Sequence, residues 1–70
     1  MDVKSEIAGK VWKIVAAVGD AVEEDDEIVI LESMKMEIPV MAPAAGKVAE
    51  ILVEEGESVQ EDQVVVRLES

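Results

Sequence analysis

Seventy residues carry 17 acidic and six basic side chains, a formal net charge of −11, with half of all positions hydrophobic and neither cysteine nor histidine present. That composition rules out disulfide staples, thiolate or imidazole metal sites, and thiol or serine–histidine nucleophiles. It also disfavours nucleic acid and anionic membrane surfaces, because phosphate recognition needs clustered Lys and Arg.

The length implies one small domain, residues 1–70, of a size that buries only about 60% of its unfolded surface. With Trp12 the only aromatic, the core is expected to be Val, Ile, Leu and Ala. The first residues, Met1-Asp2-Val3-Lys4-Ser5-Glu6, lack the basic and apolar regions of a signal peptide. No apolar run approaches the roughly 18 residues of a membrane helix. The expectation is a cytoplasmic protein, monomeric on its own.

Taken in order, the chain reads as short strands between turns. Gly9 is expected at a tight turn, where a missing Cβ permits positive φ, and Gly46 likewise. Val11, Ile14, Val15 and Val18 could mark a helical stripe, but the segment between Gly9 and Gly19 is short and β-branched, so a strand is preferred. Trp12 is read as a packing residue. Gly19-Asp20 and Gly56-Glu57 are turn signals. The acidic run Glu23-Glu24-Asp25-Asp26-Glu27 lacks the alternating ligands and central Gly of a calcium loop and reads as a solvated turn. Ile28-Val29-Ile30-Leu31 and Val64-Val65-Val66-Arg67-Leu68 are strands. Pro39 and Pro43 place the segment around them at a sheet edge or strand end.

The organising stretch is Glu32-Ser33-Met34-Lys35-Met36-Glu37. It lies between the apolar runs Ile28-Val29-Ile30-Leu31 and Ile38-Pro39-Val40-Met41. Two β runs around a short polar break predict a hairpin with Lys35 at or near its tip. Two large, soft apolar side chains at a solvent-facing turn, Met34 and Met36, point to contact with partners, the alternative being that one of them folds back against the barrel end.

The chain also repeats itself. Ala8-Gly9-Lys10-Val11 matches Ala45-Gly46-Lys47-Val48, Gly19 matches Gly56, Glu24-Asp25 matches Glu61-Asp62, and Leu31-Glu32-Ser33 matches Leu68-Glu69-Ser70, all at one offset of 37 residues. Two copies of one supersecondary unit sharing a core predict a pseudo-twofold closed domain. In it the Lys35 hairpin corresponds to the place where the chain starts and stops. The termini should therefore lie side by side, at the end opposite Lys35.

Met-Lys-Met between two β runs, midway between two Gly-containing repeats, resembles the biotinyl (biotin carboxyl carrier) domain of the biotinyl/lipoyl attachment family, over essentially the whole chain. The resemblance implies an all-β flattened barrel or sandwich of two antiparallel four-stranded sheets, with Lys35 biotinylated on a hairpin turn. Ser33 stands where many members have Ala. Asp25 and Asp62 stand where members often have Gly, and Asp tolerates left-handed backbone better than most residues. Without a Pro/Ala-rich linker, the sequence is similar to the freestanding attachment proteins.

The resemblance further implies a non-catalytic carrier. A biotin protein ligase would transfer biotin from biotinyl-adenylate to the Lys35 amine. The amine must lose its proton first, and the base is expected from the ligase. Biotin carboxylase would load a carboxyl group as N-carboxybiotin, and a carboxyltransferase would pass it to an acceptor such as an acyl-CoA, as in acetyl-CoA carboxylase systems. Met34 and Met36 would flank the cofactor, with Glu32, Ser33 and Glu37 as recognition residues. The alternatives are a lipoyl carrier, whose tip is typically Asp-Lys-Ala rather than Met-Lys-Met, and an unmodified interaction module.

Overall fold

A computed structural model describes residues 1–69. Eight strands follow one another: β1 (Asp2–Lys4), β2 (Gly9–Ile14), β3 (Ala21–Val22), β4 (Glu27–Ser33), β5 (Met36–Met41), β6 (Gly46–Ile51), β7 (Ser58–Val59) and β8 (Val64–Glu69). They form two four-stranded sheets, in the orders β1-β8-β6-β3 and β5-β4-β2-β7. Every pairing is antiparallel. No strand bridges the two sheets among the described residues, so the fold is a flattened sandwich and not a closed barrel.

The repeat governs the topology. Shifting β2, β3 and β4 by 37 residues gives β6, β7 and β8, and shifting β1 lands within β5. The operation therefore exchanges the two sheets. Irregularities repeat as well. A bulge between Val11 and Lys13 recurs between Val48 and Glu50, bending each long strand at the same place. Gly19 and Gly56 have φ of 96° and 91°, and Asp25 and Asp62 have φ of 71° and 68°. The two aspartates thus hold the left-handed backbone that glycine would otherwise supply. The Ser33–Ser70 match cannot be compared, because Ser70 lies outside the described residues.

Turn chemistry is conserved between the halves even where residue types differ. The Ala17 N–H donates to Asp20 Oδ2 at 2.9 Å, and the Glu54 N–H donates to Glu57 Oε1 at 3.0 Å. Likewise the Glu23 N–H donates to Asp26 Oδ2, and the Gln60 N–H to Gln63 Oε1. A side-chain oxygen three residues on satisfies the turn's free amide in each case. The acidic run is therefore a turn closed by Asp26, and its last residue, Glu27, begins β4.

Gly9 and Gly46 do not sit at positive-φ turns as expected. They begin β2 and β6, and neither is in the left-handed region. Their reason is close approach: a Cβ on Gly9 would lie 3.0 Å from the Glu32 carbonyl oxygen, and one on Gly46 2.6 Å from that of Glu69.

The core is aliphatic. Ile28, Val29, Leu31, Val65 and Val66 are fully buried between the sheets, joined by Val3, Val11, Val48 and Val59. Trp12 takes no part in this core. It stands half-exposed at the β2 bulge. The halves also interlock, because β2 pairs with β7 and β3 with β6. Each two-residue strand completes the other half's sheet.

Candidate functional site

The six residues from Glu32 to Glu37 close the β4–β5 hairpin. The register runs Leu31 opposite Ile38, Glu32 opposite Glu37 and Ser33 opposite Met36, which leaves a two-residue loop of Met34 and Lys35. Their φ values are 52° and 64°. Two central residues in the left-handed region define the type I′ turn, whose twist matches the strands it joins. That turn ordinarily uses Asn-Gly, because a Cβ is costly there. Here Met and Lys accept the conformation, and the strands below impose it.

The base of the hairpin is firmly seated. Leu31 is fully buried and Val40 nearly so, whereas Glu32, Met34, Lys35, Met36 and Glu37 are all exposed and Ser33 is half-buried. Met34 is 91% exposed and Met36 60%, so neither folds back onto the sandwich. β5 is an edge strand carrying Pro39 within it, a position where a missing N–H costs no sheet hydrogen bond. Of the six basic residues, Lys4, Lys10, Lys13, Lys47 and Arg67 lie within strands, and only Lys35 lies in a turn.

Below the tip, a row crosses the outer face of the sheet: Ser58, Lys10, Glu32 and Glu37, each opposite the next. Two carboxylates face each other across β4 and β5, a pairing that repels, with Lys10 beside one of them. The sequence pointed to Glu32 and Glu37 as recognition residues, and to Gly9 and Lys10 only as parts of a turn and of the repeat. The repeat carried the missing signal, since the Lys10–Glu32 pair has its mate in Lys47–Glu69.

A cleft of about 220 Å³ opens along β5 and is lined by Ile7, Leu31, Ile38, Val40 and Ala42, with Lys4 and Glu6. None of residues 32–37 lines it. The lysine therefore stands on a projection and not in a pocket, an arrangement suited to being acted upon.

At the other end of the hairpin's symmetry operation, the Met1 ammonium donates to the Leu68 carbonyl at 2.8 Å, and the Leu68 N–H donates to the Met1 carbonyl at 2.8 Å. The start of the chain and the end of β8 thus lie side by side. β1 runs from Met1 toward Gly9, which abuts Glu32 just below the tip.

A family model described as "Biotin-requiring enzyme", the biotin/lipoyl family, matches residues 1–68. The chain belongs to this family. It is 50% identical over 42 residues to the biotin/lipoyl attachment protein of Bacillus subtilis, covering 60% of this chain and 58% of that protein. It is 51% identical over 41 residues to biotinylated protein TB7.3 of Mycobacterium tuberculosis, covering 59% of this chain and 58% of that one.

Among solved structures, the urea carboxylase of Kluyveromyces lactis superposes on this domain with a TM-score of 0.93 and 43% identity, over 97% of this chain and 6% of that much longer one. The lipoyl domain of the 2-oxoglutarate dehydrogenase complex from Azotobacter vinelandii gives a TM-score of 0.80 and 30% identity, over 100% of this chain and 96% of that domain. The biotin/lipoyl sandwich is thus a non-catalytic attachment domain, similar to those built into carboxylase chains.

Proposed function

We propose that this attachment domain is a biotin carboxyl carrier and that Lys35 is its acceptor. The observation that carries the reading is the placement of Lys35. It is the one basic residue in a turn among those described, exposed between Met34 and Met36 at a projecting type I′ turn. An acylating enzyme can close over such a tip without disturbing the core. The similarity to biotinylated protein TB7.3 and to a urea carboxylase supports biotin as the group attached.

The residues present fit a covalent cofactor, because no neighbouring side chain covers the amine and no cleft must be emptied to admit it. When bound, biotin supplies the nitrogen that carries a carboxyl group between active sites. The chain holds the attachment point rigidly. Its fixed turn restricts where the amine is presented, which lowers the entropic cost of reaching each partner site. Met34 and Met36 offer adaptable apolar contact beside it. Glu32, Ser33 and Glu37 form the polar shoulder read by a biotin protein ligase and by biotin carboxylase and carboxyltransferase components.

A second reading, lipoyl attachment at the same lysine, has support in the near-complete overlap with a lipoyl domain. Intact mass after co-expression with a biotin ligase in medium containing both biotin and lipoate decides between them. The expected product carries one biotinyl group, and Lys35→Arg folds but carries none. A lipoyl mass would transfer the assignment to the second reading. Biotin retained on the Lys35→Arg protein would move the acceptor elsewhere.

A further inference from the structure

All four methionines of the chain are exposed: Met34 at 91%, Met1 at 62%, Met36 at 60% and Met41 at 47%. Methionine ordinarily fills irregular core space, yet this core is built from Val, Ile, Leu and Ala without it. The chain also lacks cysteine. Its most accessible oxidisable atoms are therefore thioether sulfurs, and two of them flank Lys35.

From this arrangement we infer that Met34 and Met36 form a reversible oxidation site that controls how well partner enzymes read the tip, an inference that rests on Lys35 being the acceptor. A peroxide oxidises each thioether by two electrons. The O–O bond breaks, an S–O bond forms, and the peroxide leaves as water or an alcohol. Reduction by two thiols returns the thioether, with a disulfide and water as products. The sulfoxide is polar and chiral where the thioether was apolar and adaptable.

What distinguishes this site from ordinary oxidative damage is its independence from the fold. Oxidised core methionines disrupt packing, but neither tip methionine belongs to the buried cluster. The hairpin register is set below them by Leu31 opposite Ile38 and by Glu32 opposite Glu37. The change is confined to the surface a partner must contact. Met34 should react first, being the most exposed, and Met41 last.

The test treats the unacylated full chain with hydrogen peroxide and maps sulfoxides by peptide mass spectrometry. Initial rates of biotinylation by a biotin protein ligase are then measured. Two sulfoxides at the tip should lower the rate about tenfold, each lost apolar contact accounting for a factor of a few. Circular dichroism should stay unchanged, and methionine sulfoxide reductases with dithiothreitol should restore the rate.

Two variants locate the effect. For Met34→Leu/Met36→Leu, the ratio of rates before and after peroxide should stay near one, whereas Met1→Leu/Met41→Leu should keep the full loss. An oxidised chain acylated as fast as its untreated control overturns this inference alone. Loss of rate in Met34→Leu/Met36→Leu equal to that of the parent also overturns it. An untreated chain that accepts no biotin overturns the acceptor reading, and this inference with it.

Discussion

Replacing the tip doublet with the residues its backbone prefers should make the domain more stable while removing the proposed acceptor. Met34 and Lys35 both hold left-handed φ, 52° and 64°, at a cost of about 1–2 kcal/mol for an ordinary L residue. In Met34→Asn/Lys35→Gly, Asn is partly spared this cost and Gly wholly so. The gross relief is about 2 kcal/mol, and the extra freedom of Gly in the unfolded chain removes roughly 0.5–1 kcal/mol of it. Neither parent side chain is packed in the core, and Lys35 makes no ion pair among the described residues. Little is lost in exchange, so the net gain should be about 1 kcal/mol, or roughly 4–8 °C in Tm for a domain of this size. Thermal and guanidinium melts followed by circular dichroism measure it. Met34→Asn alone should gain about half as much and retain the lysine. A double variant that melts at or below the parent temperature would refute the type I′ assignment and the rigidity argued from it.

Two further outcomes follow from the core and the charge. Ile28→Ala, at a fully buried site in β4, should cost about 2–5 kcal/mol. Val65→Ala at the symmetry-related position should cost less, since a smaller side chain is removed. Denaturant midpoints report both, and an Ile28→Ala cost below about 1 kcal/mol would mean the sandwich closes around the gap. Stability should also rise with salt. A net charge of −11 repels itself, and the two ion pairs of Arg67, to Asp2 at 3.3 Å and Glu50 at 3.6 Å, are exposed and worth little. Raising sodium chloride from low concentration to about 1 M shortens the screening length to about 3 Å. A Tm that falls over that range would contradict the repulsion argument.

Much of the architecture was legible because the chain states it twice. The 37-residue offset predicted twofold-related halves, the pairing of the chain's start with the end of β8, and the turns at Gly19 and Gly56. The apolar runs at Ile28–Leu31 and Val64–Leu68 marked the two most buried strands. Less was visible where one residue type serves two purposes. Glycine suggests positive φ, but at Gly9 and Gly46 the missing Cβ instead makes room for a carbonyl on the neighbouring strand, a constraint between residues far apart in sequence. Trp12 reads as a packing residue outside an aliphatic core, and its place at a bulge turns it outward to half exposure. The left-handed tip was also hidden, because nothing in Met-Lys requests a type I′ turn.

That last absence bears on how the site works. A turn whose own residues oppose its conformation must be held by the strands, and those strands are held by the core. Leu31 and Val40 fix the hairpin from inside, and Gly9 permits β2 to approach Glu32 closely enough to pair. An excised hairpin lacks all of this, and an isolated two-stranded hairpin is marginal in water even with a favourable turn. A peptide of residues 28–41 should therefore be unstructured by circular dichroism and should accept biotin from a ligase far more slowly than the folded domain. The Ile28→Ala variant provides an intermediate case. Its acylation rate, measured across denaturant concentrations, should follow its folded fraction, although residue 28 is remote from the tip in the strand. A peptide acylated as fast as the domain would show that the enzyme reads the local sequence alone, and that the scaffold contributes nothing to presenting the lysine.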